Sequence, residues 1–210
     1  MMVSVATITV PAYPKRLQML FAEKNKAVVQ ERITSNPMEE LKRQLPEFYP
    51  RIYRAISAIT YESGLSAEDL TQDTFLRAFN NISDFNSHSS IYTWLHRIAR
   101  NITLDAMRRL KIRRRIGLAY PTADSMDQMT DDTFPASDDD QEANLLLRRA
   151  ISRLPNDKKV LIIFKDLQEL TYAEIGEILD IPEGTVKSRL FKARIMLKDE
   201  LMQSGYEHEN

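Results

Sequence analysis

Residues 171–201 read TYAEIGEILDIPEGTVKSRLFKARIMLKDEL, and this stretch decides the fold. Thr171 followed three residues later by Glu174 is a capping box, and Ile175, Ile178 and Leu179 give the short helix behind it a buried stripe. Asp180-Ile181-Pro182 then turns the chain. A second helix is expected from about Glu183 to Met202, because Val186, Leu190, Ala193, Leu197 and Leu201 recur at steps of three and four and fall within one narrow arc. The opposite face carries Gly184, Ser188, Phe191, Lys192 and Ile195, flanked by Thr185, Lys187, Arg189 and Arg194. A Phe and an Ile among cations are odd neighbours for water. They suit a helix in a DNA major groove, where apolar atoms meet thymine methyls and cations meet phosphates or guanine edges. The same face also fits a basic solvated helix or a seam for another protein. Short helix, tight turn and long basic helix occurring together favour a helix-turn-helix.

Outward from that motif, the charge of the 210-residue chain is strongly polarised although the total is only -1. Residues 116–144 hold eight acids (Asp124, Asp127, Asp131, Asp132, Asp138, Asp139, Asp140, Glu142) and no Lys or Arg, with Pro121 and Pro135 to break any helix. This reads as a flexible acidic linker. Just before it, residues 91–115 hold eight cations against the single acid Asp105. Strand-like alternation is nearly absent, whereas apolar residues recur at helical spacing from about Met38 to Lys111 and from about Leu145 to Met202. The expected fold is therefore all-α: two helical domains, 36–115 and 145–202, joined by the linker 116–144. Residues 1–35 read as a flexible arm and 203–210 as a tail.

The composition also excludes. There is no cysteine, hence no disulfide, thiol nucleophile or thiolate zinc site, as suits a reducing cytoplasm. Five glycines form neither a GxGxxG nor a Walker A loop, and the three histidines form no HExxH or HxxxH pair. No catalytic residue, cofactor or metal is expected; the linker aspartates lack an EF-hand pattern. The apolar run Val3–Val10 lacks a basic lead-in, is too short to span a bilayer and is stopped by Pro11 and Pro14, so no membrane insertion is expected.

In the N-terminal half, AEDLTQDTFLRAFNNI (67–82) places Leu70, Thr74, Phe75, Ala78 and Ile82 on a core side. Its other side presents Asp69, Gln72, Asp73, Leu76 and Asn80, either a seat for a partner helix or a solvated face with one stray Leu. After the polar loop DFNSHSS (84–90), IYTWLHRIARNITLDAMRR (91–109) has Ile91, Trp94, Leu95, Ile98 and Ile102 on its core face. Trp94 sits beside that arc and reads as core before stacking platform. Arg97, Asn101, Leu104 and Arg108 lie opposite, with Arg100 and Asp105 beside them; arginines anchor phosphates, and Asn101 and Asp105 can hydrogen-bond unpaired base edges.

LPNDKKVLIIFKDLQELTYAEIGEILDIPEGTVKSRLFKARIMLKDEL (154–201) resembles domain four of bacterial sigma factors, particularly the extracytoplasmic-function group, and AEDLTQDTFLRAF with TWLHRIARNITLDAMRR resembles domain two in the same chain order. The resemblance covers about residues 38–201. It implies that Glu183, Thr185, Lys187, Ser188, Arg189, Phe191 and Lys192 contact the minus-thirty-five promoter element. It implies that Asp69, Gln72, Asp73 and Leu76 dock on the clamp helices of core RNA polymerase. Recognition of the minus-ten element would fall to the loop Asn86, Ser87, His88 and Ser89, pocketing a flipped base, and to Arg97, Arg100, Asn101, Asp105 and Arg108. An anti-sigma factor is a further implied partner, and the linker would thread the polymerase cleft as an RNA-like polyanion or serve as a plain tether. Asp180 stands where the family commonly has glycine and Gly176 where it has alanine. Asp tolerates a left-handed turn and Gly is merely smaller, so both are expected only to soften stability. The function implied is promoter-specific transcription initiation without catalytic residues. One rival is a one-component helix-turn-helix regulator acting without polymerase; its N-terminal half would need a receiver pattern or glycine-bearing ligand loop that is not there. A metal-dependent hydrolase has nothing beyond charge to motivate it.

Overall fold

The computed structural model describes residues 36–85, 89–118 and 141–204. The arm 1–35, loop residues Asn86–His88, linker residues 119–140 and residues 205–210 lie outside the described residues. Among those described, seven α-helices and no strand are found: α1 Pro37–Thr60, α2 Ala67–Asn80, α3 Ile91–Arg115, α4 Gln141–Arg153, α5 Asn156–Ile162, α6 Tyr172–Leu179 and α7 Glu183–Gln203. The all-helical expectation is met. Helix α4 starts at Gln141, inside the stretch read as linker.

Each start is written locally. Asn36 caps α1 by accepting the Met38 N–H at 3.0 Å, with Pro37 in the first turn where a missing N–H costs nothing. Ser66 caps α2 through the Asp69 N–H at 3.1 Å, and Ser90 caps α3 through the Thr93 N–H at 3.0 Å. Thr171 and Glu174 form the expected reciprocal capping box.

Two cores result, and α1 contributes to both. One face of α1 (Leu41, Leu45, Phe48, Ile52, Ile56) packs on Phe75, Ala78 and Phe79 of α2 and on Trp94, Leu95 and Ala99 of α3. Its other face, Ala55, Ala58 and Ile59, joins Ile151, Leu154, the run Val160–Phe164, Ile175, Ile178, Val186, Leu190 and Ala193 of the C-terminal half. Leu104 and Met107 of α3 pack against this second core as well. Polar clasps accompany the apolar seam. The Tyr92 hydroxyl donates to Gln168 Oε1 at 3.2 Å, and the Ser152 hydroxyl donates to Glu62 Oε2 at 2.9 Å, beside Arg149 at 4.0 Å. His96 is fully buried at the seam, its ring edge-on to Tyr92 at 4.5 Å and to Phe164 at 5.2 Å.

The turn between α6 and α7 corrects one expectation. Asp180 takes the left-handed conformation (φ 54°, ψ 50°), as foreseen. Gly176, however, is not merely smaller than alanine: an added Cβ would stand 2.9 Å from the Ile181 carbonyl oxygen. The turn folds back so closely that the Ile181 N–H bonds the Gly176 carbonyl at 3.0 Å, and only a hydrogen fits between them.

Candidate nucleic-acid interface

Helix α7 buries Val186, Leu190 and Ala193 and turns its other side outward. Glu183, Lys187, Ser188, Arg189, Phe191 and Lys192 are exposed and Thr185 is half-buried, so the sequence-derived set for the upstream element forms one continuous surface. Phe191 is 67% exposed, with Ile195 one turn further along at 47%. Part of the surface is tied down internally: Lys187 Nζ meets Glu183 Oε1 at 2.7 Å, and the Ser188 hydroxyl donates to the Thr185 carbonyl at 3.1 Å. The hydrogen bond it donates to the Glu183 carboxylate raises the Lys187 ammonium above the ordinary lysine value. Arg194 forks onto Asp166, Nε to Oδ2 at 3.3 Å, which anchors α7 to the segment after α5. Arg189 and Lys192 make no hydrogen bond or ion pair among the described residues and are free for a ligand.

Helix α3 distributes its polar residues differently from a two-sided wheel. Arg97 and Asn101 are exposed, and Asn101 Oδ1 accepts from Arg100 at 3.0 Å. Arg100 and Arg108 turn toward the C-terminal half, where with Lys111 and Arg189 they line a groove of about 380 Å³. Its floor includes Leu104 and Met107, and Asp157 is its one acid. The Arg100 Nε is buried without a partner among the described residues. Asp105 turns the other way, toward α2, while holding Arg108 at 2.8 Å. The structure thus splits the residues expected to read the downstream element and brings two of them beside Arg189 of the other half. Ser89 is half-buried before the α3 cap; Asn86, Ser87 and His88 lie outside the described residues.

On α2, Asp69 and Asp73 are exposed and Gln72 and Leu76 half-buried, all on one side. Gln72 Nε2 donates to Glu68 at 3.3 Å, and the Asp73 carboxylate has no partner among the described residues. Trp94 is core, 6% exposed. Sequence reasoning missed His96, whose burial holds its imidazole down to about 3, and Lys111, whose spacing from Arg100, Leu104 and Arg108 was the available signal. No group of three or more His, Cys, Asp or Glu among the described residues is arranged to hold a metal ion.

These surfaces coincide with two matches to known families. Residues 144–197 match the model for sigma-70 region 4, and residues 47–113 that for sigma-70 region 2. The chain belongs to the sigma-70 family. It is similar to the RNA polymerase sigma factor YlaC of Bacillus subtilis, 32% identical over 176 residues spanning 81% of this chain and 95% of the relative. It is also similar to the ECF RNA polymerase sigma factor SigW of Bacillus subtilis, 34% identical over 143 residues spanning 64% of this chain and 75% of the relative. Among solved structures, the sigma factor RpoE of Bartonella quintana shares the fold at a TM-score of 0.62 and 23% identity, covering 78% of this chain and 98% of that one. CnrH shares it at 0.51 and 17%, covering 89% and 97%. This sigma factor is of the extracytoplasmic-function type and acts in promoter-specific initiation of transcription with core RNA polymerase. No helix among its described residues is long and apolar enough to cross a membrane.

Proposed function

We propose that α7 reads the minus-thirty-five element with Glu183, Thr185, Lys187, Ser188, Arg189, Phe191 and Lys192. The observation that carries this is Phe191, 67% exposed between free cations on a helix delivered by a tight left-handed turn. Arg97, Arg100, Asn101 and Arg108, with the loop Asn86–Ser89, read and hold open the minus-ten element, and Asp69, Gln72, Asp73 and Leu76 seat the chain on core polymerase. The chain supplies no catalytic residue; polymerase performs the chemistry in the cytoplasm, and an anti-sigma factor masks the free chain.

Elements named for positions some 25 base pairs apart lie roughly 80 Å apart at about 3.4 Å per base pair. Arg189 and the pair Arg100 and Arg108 line a single groove of about 380 Å³, so reading both elements at once requires the two halves to part. Two modest contacts on one DNA then reinforce each other through effective concentration. The test is gel-filtration co-elution of the full chain with bacterial core polymerase, followed by transcription from a candidate promoter. Asp73→Arg should abolish co-elution with the fold intact. A chain that binds duplex DNA tightly by itself and ignores core would instead be the one-component regulator.

A further inference from the structure

Helices α3, α5, α6 and α7 line the groove of about 380 Å³ where the two halves meet. Arg100, Arg108 and Lys111 come to it from α3, and Arg189 comes from α7. Its apolar lining is shared in the same way, Leu104 and Met107 from one half and Val160, Leu161 and Leu179 from the other. The acid on its walls, Asp157, is engaged by Lys158 at 3.0 Å, and Arg108 is held by Asp105 at 2.8 Å from outside the groove. Three cations are left without a carboxylate among the described residues. Lys111 and Arg189 make no hydrogen bond or ion pair there, and Arg100 gives one N–H to the neutral Asn101 at 3.0 Å while its Nε is buried without a partner.

Closing the two halves therefore gathers charges of one sign from both into a recess with apolar walls, where each is poorly screened from the next. Cations meant only to be wetted would be spread apart; gathered in a recess, they bind an anion. Their number and placing set its class. One phosphate carries about two charges, too few for Arg100, Lys111 and Arg189 on two walls. A short chain of phosphates matches them, with guanidiniums taking its oxygens in pairs. The volume is that of a metabolite site, which begins at about 300 Å³, and is far too small for a duplex. The apolar lining offers a seat for an organic group carried by the same anion.

We infer that this groove is a binding site for a small multi-phosphate anion, a nucleoside polyphosphate or a short inorganic polyphosphate, held by both halves at once. A ligand that touches both halves binds the closed chain and opposes their parting. That consequence for transcription rests on the promoter reading proposed above; the binding does not. The test is calorimetric titration of the full-length chain with ATP, inorganic tripolyphosphate and orthophosphate, without divalent metal. Wild type should bind ATP or tripolyphosphate at one site and orthophosphate roughly tenfold more weakly or worse. Tighter binding of ATP assigns the organic source, and otherwise the source is inorganic. Lys111→Glu on one wall and Arg189→Glu on the other should each weaken binding roughly tenfold or more. Lys198→Glu, exposed near the end of α7 and outside the groove, should bind as wild type does. Circular dichroism checks each fold. Asn156→Asp adds a carboxylate to the groove at the first position of α5, where an acid suits the helix, so its weaker binding stays informative should a charge reversal disturb the fold. No saturable binding by wild type, an equal loss in Lys198→Glu, or a loss confined to one wall each overturns the inference. Co-elution with core polymerase reads the proposed function separately, so neither failure can be mistaken for the other.

Discussion

His96 makes the stability of this chain depend on pH in a way that can be worked out beforehand. Its ring is fully buried between Tyr92 of its own half and Phe164 of the other, and neither ring nitrogen has a hydrogen-bond partner among the described residues. Burial lowers the imidazole from 6.5 to about 3, and the nearby Arg51 charge pushes the same way; Tyr92, raised to about 12 chiefly by its own burial, stays neutral throughout. Because the folded value is the lower one, the closed native form refuses a proton that the unfolded or parted chain accepts. The stabilisation is complete above 6.5, declines as pH falls below it and is exhausted near 3. Between pH 7.5 and 5.0 the loss amounts to about 2 kcal/mol, since each pH unit below the unfolded value costs about 1.4 kcal/mol. Urea unfolding should therefore show a midpoint lower by about 1 M at pH 5.0 for a slope near 2 kcal/mol/M. His96→Phe keeps an aromatic ring at the seam and removes the proton site, so its midpoint should lose this dependence whatever its absolute stability. An equal acid-induced drop in wild type and His96→Phe would refute the reasoning.

Gly176→Ala should destabilise by about 1–3 kcal/mol, because the clash is with the Ile181 backbone carbonyl, which has nowhere cheap to go; an unchanged thermal midpoint would show that the turn relaxes. Asp180→Gly should gain about 0.5–1 kcal/mol in denaturant unfolding, since φ of 54° is uphill for any residue with a Cβ; a loss would mean that the carboxylate contributes something the hydrogen bonds do not show. Lys192→Ala, at a free and exposed cation, should weaken holoenzyme binding to promoter DNA and reduce the slope of log affinity against log salt by about one, read by fluorescence anisotropy across a salt series; an unchanged slope strikes Lys192 from the phosphate contacts.

The C-terminal half was legible because α7 has neighbours on one side only. A single apolar arc then describes it fully, and Val186, Leu190 and Ala193 are inside while Phe191 and Lys192 are outside. Helix α3 has neighbours on two flanks, α2 and the C-terminal half, so dividing its residues into core and outer faces put Arg100, Asp105 and Arg108 together where the fold sends them to different grooves. Leu104, read as outward, packs on the second core for the same reason. The second face of α1 left no mark in the apolar pattern, because two of its three residues are alanines, which fit a surface as well as a seam. Lys159, 3% exposed in α5, and His96 were equally silent: polar letters in an apolar place are seen only once their surroundings are.

Ala55, Ala58 and Ile59 have a consequence for anyone who would take this molecule apart. Cutting the chain anywhere between residues 118 and 141 separates the two sigma regions on paper, yet those three side chains belong to the core of the half they would be parted from. Each fragment would present a raw apolar face, on α1 in one and around Ile151, Val160 and Phe164 in the other. Fragments expressed singly should be sticky and poorly soluble, and should recover their manners when mixed.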